Sequence, residues 1–76
     1  EDPRIEGRFL YDTTGRLTTA EYRFSESFAA AHKGLSLQRL VFSADGAVEE
    51  TELVYDGRDP SLPRIVRGAG PPGELP

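Results

Sequence analysis

The 76-residue chain contains no cysteine, methionine, tryptophan or asparagine, and only one histidine, one lysine and one glutamine. Without cysteine there can be no disulfide and no thiolate metal site. His32 is alone, so a histidine-based zinc site within one chain lacks ligands. No apolar run approaches the roughly 20 residues of a membrane-spanning helix, and no secretory leader is recognisable. Membrane insertion is therefore not expected. Methionine is missing even at position 1, so the expectation is a processed product or a piece of a longer chain. The formal charge is -4 and no basic run occurs, which argues against nucleic acid and anionic membrane as partners. Scarce Asn, Gln, Cys and Met is also a tendency of heat-adapted proteins. A GC-rich genome equally favours eight arginines over one lysine.

A chain of this length buries only about 60% of its unfolded surface. With disulfides and metals set aside, good packing or a second protein surface must supply the stability.

What is present is a repeat. RFLYDTTGRLTTAEYRF, residues 8–24, aligns without a gap to RLVFSADGAVEETELVY, residues 39–55. Arg8 matches Arg39, Gly15 matches Gly46, and Glu21 matches Glu52. Apolar residues match at Phe9/Leu40, Leu10/Val41, Tyr11/Phe42, Leu17/Val48, Tyr22/Leu53 and Phe24/Tyr55. Each copy holds two β-rich runs around a glycine that accepts the positive φ of a tight turn. The reading is two β-hairpins.

Two-residue turns at Thr14-Gly15 and Asp45-Gly46 set Arg8 opposite Glu21, Glu6 opposite Arg23 and Arg39 opposite Glu52. Opposite charges facing across a ladder are stabilising. Ile5, Phe9, Tyr11, Ala20, Tyr22 and Phe24 then share one face, as do Leu40, Phe42, Leu53 and Tyr55. A three-residue turn with a glycine bulge is the rival; it opposes Tyr11 to Leu17 and breaks the Arg–Glu pairs. The second hairpin carries Leu35, Leu37, Val41, Val48 and Val54 on its other face, and apolar residues on both faces call for cover on both. Ile5-Glu6-Gly7-Arg8 is also a protease recognition sequence used to remove tags; its fit to the ladder makes it native in this reading.

Between the hairpins, Ser25 or Ser27 can cap a helix, Ala29–Ala31 favour one, and Gly34 can stop it. A helix over 26–33 is expected, packed through Phe28 and Ala31, with a plain loop as the alternative. After Tyr55 prolines dominate. Arg64–Arg67 is compatible with a short edge strand, and residues 68–76 read as a Pro/Gly-rich tail or linker.

Tyr11-Asp12-Thr13-Thr14-Gly15-Arg16-Leu17-Thr18 resembles the YD repeat of Rhs-type bacterial proteins, which reads Tyr-Asp-x-x-Gly-Arg-Leu-Thr. The resemblance covers these eight residues. It implies a β-hairpin that contributes to a large shell and has no catalytic role. The second copy departs from the motif at its Tyr, Asp, Arg and Thr positions, and no functional residue is carried over.

No nucleophile, phosphate-binding or dinucleotide motif occurs. The acidic run Glu49, Glu50 and Glu52 reads as a solvated strand face, with Glu52 paired to Arg39. His32 reads as a helix-end residue meeting the terminal carbonyls rather than a base. The expected architecture is α+β and β-dominated: a four-stranded antiparallel sheet in ββαββ order with one short helix packed on it, filling a single domain over 1–67 (hairpin 5–24, helix 26–33, hairpin 36–55). The expected function is a non-enzymatic protein-interaction or self-association module, part of a larger or exported bacterial protein. It would bind a protein partner, or a second copy as a homodimer, through an aromatic sheet face or an open edge strand. Tyr11, Tyr22, Phe24, Phe42 and Tyr55 are the candidate contact residues. No catalytic residue, metal or cofactor is expected. The alternative is a small-ligand or enzyme-accessory domain with a pocket between helix and sheet.

Overall fold

The computed structural model describes residues 2–71, and its organisation starts at the two turns. The Asp12 N–H donates to the Arg16 carbonyl at 2.9 Å and the Gly15 N–H to the Asp12 carbonyl at 3.0 Å. The Ser43 and Gly46 N–H groups repeat both bonds, at 2.8 and 3.0 Å. Gly15 and Gly46 are left-handed, with φ of 89° and 90°. Each loop thus has three residues, and Tyr11 lies opposite Leu17. The expected two-residue turns are corrected here, yet the Arg–Glu pairs survive. Thr18 and Glu49 are bulged, one extra residue on the returning strand, and beyond them the ladder returns to Arg8↔Glu21 and Arg39↔Glu52.

The strands are β1 (Arg4–Tyr11), β2 (Leu17–Phe24), β3 (Leu35–Phe42), β4 (Val48–Tyr55) and β5 (Ile65–Ala69), with α1 (Glu26–Ala31) between β2 and β3. All pair antiparallel in chain order, β1-β2-β3-β4-β5. All seven pairings of the first hairpin recur 31 residues later in the second, both bulge sites included. The repeat is therefore one of backbone register and not only of residue type. The sheet has five strands, not the expected four. Ile65–Ala69 pairs along Glu50–Val54, so the edge strand expected at 64–67 takes in two residues assigned to the tail. Of the rest of that expected tail, Gly70 still bonds to the Glu49 carbonyl, and 72–76 lie outside the described residues.

The core gathers at the end of the sheet away from the turns. Phe24, Leu35 and Tyr55 are buried there, with Phe28, Leu53 and Leu62 packed against them. Leu35 and Leu37 were expected on one face, as alternate residues of a strand. The bulge at Ser36 separates them. Leu35 turns into the core, fully buried, while Leu37 lies beside Arg8 and Glu21 on the other face. That other face, expected to need cover, has no element over it among the described residues; Leu37, Val41 and Val54 are half-buried there. The radius of gyration is 13.2 Å, against roughly 11 Å for a compact chain of this length, as befits a slab covered on one side at one end.

Ser25 caps α1, its hydroxyl accepting from the Phe28 N–H at 3.2 Å. The helix ends at Ala31, two residues short of the expected 26–33, because Lys33 and Gly34 are both left-handed. Phe28 packs against the core as expected, but the alanine that faces the sheet is Ala29, buried, while the expected Ala31 is exposed. His32 stacks on Phe28 with ring centroids 3.9 Å apart, and its Nδ1 lies 3.0 Å from the Phe28 carbonyl. Arg58 fastens the 56–64 connection to the helix, binding Asp56 at 2.7 Å and Glu26 at 2.6 Å.

The turns also set an acid response. The Asp12 carboxylate accepts from the Thr14 hydroxyl and from the Thr14 and Arg16 N–H groups; the Thr14 hydroxyl is the largest cause holding its pKa below the usual carboxylate range. The Ser43 hydroxyl, then the Ala47 N–H, does the same for Asp45. A carboxylate depressed in the folded state stabilises above its unfolded pKa, and that stability is lost as pH falls through the folded value. The thermal midpoint should therefore drop below about pH 4. In the Asp12→Asn, Asp45→Asn double variant the decline should be shallower, checked by melting curves between pH 2 and pH 7. Equal acid sensitivity in both proteins refutes this.

Candidate functional site

The rungs of the sheet place like-spaced charges in one row. Arg8 faces Glu21, Glu21 faces Arg39, Arg39 faces Glu52, and Glu52 faces Arg67. The row crosses all five strands with strictly alternating sign. Arg8 lies 3.7 Å from Glu21, Arg39 binds Glu21 at 2.9 Å and also Glu52, and Arg67 binds Glu52 at 2.7 Å. The glutamates are the sheltered members: Glu52 is 5% exposed, and Glu21 is half-buried. A buried carboxylate is tolerable only when paired, and each here lies between two guanidinium groups. Glu52 is thus engaged by Arg67 as well as by the expected Arg39.

Inside the row, Arg39 meets two carboxylates. At the edges, Arg8 and Arg67 each meet one and are the most exposed members. A parallel pair, Glu6 with Arg23 at 3.0 Å, flanks the row on β1 and β2.

The apolar surface is concentrated in the same place. The exposed large hydrophobic residues among those described are Ile5, Phe9, Leu10 and Tyr11 on β1, and Ile65 and Val66 on β5. Both are edge strands. Every residue of β1 is exposed along its eight-residue length. β5 has five residues, set between Pro63 and Pro71, which cannot donate to a ladder. An open edge offers unpaired backbone donors and acceptors to another strand; β1 is the longer of the two, and its one bulge, at Ile5, leaves Glu6–Tyr11 regular up to the turn.

The five aromatic candidates divide. Phe24 and Tyr55 are core residues at 5% and 7% exposure and form no surface. Both sit where the helix and Leu62 close over the sheet. Tyr22 is half-buried, flanked edge-to-face by Phe9 at 5.9 Å and capped by the Arg4 guanidinium at 4.5 Å. Phe42 is also half-buried. Tyr11 is 61% exposed, on β1. Ile5, Phe9 and Leu10 were absent from the candidate residues; their signal was position, since the first strand of a meander is an edge. An open groove of about 430 Å³ lies between the start of β1 and α1, lined by Pro3, Ile5, Ser25, Phe28 and His32 among others.

No helix among the described residues is long and apolar enough to cross a membrane. No protein-family model, curated protein or solved structure matches the chain.

Proposed function

We propose that the chain is a non-enzymatic protein-interaction module that binds by accepting an added strand along β1. The observation that carries this is the coincidence of exposed apolar residues with an open edge: Ile5, Phe9, Leu10 and Tyr11 occupy one strand. Strand addition takes affinity from main-chain hydrogen bonds and selectivity from alternate side chains. Several of the ionisable side chains are already engaged. Glu21 and Glu52 are held by arginines, and Asp12, Asp45 and Asp59 by turn hydroxyls and N–H groups. The partner surface is thus the edge rather than the aromatic face, with Tyr11 retained from that set and Phe9 and Leu10 added. Such a module belongs naturally to a larger or exported bacterial protein.

The test is an amide NMR titration with a short synthetic peptide alternating valine and glutamate. Shifts confined to Arg4–Tyr11, with slowed hydrogen exchange there, are the expected result. Shifts at Pro3, Ser25 and His32 on adding small organic molecules, with β1 silent, would instead establish a ligand site in the groove beside α1. That second reading is favoured by the groove's apolar and polar lining. The backbone of Asp12 and the carbonyl of Leu10 face β2, so the Tyr11 N–H faces outward; Tyr11→Pro should abolish peptide binding while leaving the β3–β4 amides unmoved.

A further inference from the structure

We infer that the strand accepted by β1 is β1 of a second copy of this chain, paired antiparallel about Gly7. The inference rests on the edge reading above and gives it an occupant. Side chains alternate between the faces of a strand, so a two-fold pairing keeps each face continuous only in alternate registers. For a strand spanning Arg4–Tyr11, two such registers overlap seven strand residues. One centres on Arg8 and the other on Gly7.

Charge decides between them. Centring on Arg8 sets Arg8 directly against Arg8 of the other copy, and like charges directly opposite are destabilising. Centring on Gly7 sets Glu6 of each copy against Arg8 of the other. Both already lie on one face, beside Glu21, Arg23 and Leu37. The seam then carries two ion pairs, and each continues a row that exists within the monomer. Starting from β5, the row runs Arg67, Glu52, Arg39, Glu21 and Arg8 in one chain. It continues through Glu6 and Arg23 of the other. Seven residues alternate in sign without a break, and the two-fold axis generates a second such row. Arg8 would thereby gain the second carboxylate that Arg39 has.

Beyond Glu6 the strand is bulged at Ile5, which turns Arg4 over Tyr22. The same register brings Phe9 of each copy against this bulge in the other, and Phe9 and Ile5 enter the seam. The interface is isologous and closes at two copies, giving a ten-stranded sheet. It is also small, so association is expected to be weak, and the measurement must span about 10 μM to 1 mM.

Sedimentation equilibrium or light scattering of the full chain should show reversible growth from 8.4 kDa to twice that mass. Glu6→Arg presents two cations at the seam, and Arg8→Glu presents two carboxylates. Each variant alone should dimerise at least about tenfold more weakly, because two attractive pairs become two repulsive ones. An equimolar mixture restores both attractions and should form a heterodimer within about threefold of the parent affinity. Circular dichroism confirms that each variant is folded, and the mixture serves as a second control, since misfolded chains would not recover on mixing. A chain monomeric at 1 mM overturns the inference. If the peptide titration still moves β1, the edge reading survives with another occupant; if it does not, both fall. A dimer indifferent to the charge reversals overturns the register, and open-ended growth would mean β1 pairing with β5.

Discussion

Replacing Leu35 with alanine should leave the domain largely unfolded at 37 °C. Leu35 is fully buried, the largest side chain in that state, and it sits between Phe24 and Tyr55. Leucine-to-alanine changes at such sites cost about 2–5 kcal/mol, the larger values where the cavity cannot collapse. Collapse is difficult here, because Leu35 is held by a bulge at Ser36 and by backbone bonds on both sides. Its N–H donates to the His32 carbonyl at 3.1 Å, and it pairs with Tyr55 across the ladder. Domains of this size start near the bottom of the usual 5–15 kcal/mol range, so the loss is a large share of the total. At about 4–8 °C per kcal/mol the melting temperature should fall by at least about 10 °C. Leu37→Ala provides the contrast. It differs by two positions but lies on the uncovered face, and should cost less than about 1.5 kcal/mol. Equal effects of the two substitutions in urea titrations would mean that the bulge does not divide the faces.

Replacing Arg39 with alanine is expected to cost about 1–3 kcal/mol, the range for charge-assisted hydrogen bonds to buried groups. Among the described residues, Arg39 is the one side chain bonded to a carboxylate in each hairpin, Glu21 in the first and Glu52 in the second. Its removal leaves Glu52, 5% exposed, with Arg67 alone. Loss of one partner of a buried pair costs more than the pair itself contributes. The same substitution at Arg8 should change stability by less than about 0.5 kcal/mol, since an exposed pair at 3.7 Å gains little. Arg39→Lys should recover only part of the loss, because a single ammonium cannot reach two carboxylates as a planar fork does. An Arg39→Ala melting curve that coincides with that of Arg8→Ala would show the row to be ornament rather than a clamp between the hairpins.

Much of the architecture was legible because it is written in short-range chemistry. Glycines at 15 and 46, β-rich runs around them and charges at equal distances from the turns were enough to pair Arg8 with Glu21 and Arg39 with Glu52. A serine cap at 25 or 27 was legible for the same reason, since a cap reads three residues ahead; the structure uses Ser25. The turn size was not. A three-residue loop with a compensating bulge and a plain two-residue turn yield identical charge pairs, so the pairs could not distinguish them. The exposure of the candidate residues was not legible: Tyr11 is exposed, but Phe24 and Tyr55, grouped with it, are core residues, because alternation assigns a face and says nothing of what covers it.

The residues by themselves determined a duplicated β-turn-β unit and the alternation of arginine and glutamate, because both depend on spacings within one hairpin. Tertiary structure alone decided that β2 and β3 are neighbours in the register that sets Glu21 against Arg39, and that the strand expected near 64–67 runs to Ala69 along β4. It also left β1 as the open edge. Those outcomes depend on which strands become neighbours and which bulges turn a leucine inward, and neither is a property of any single segment.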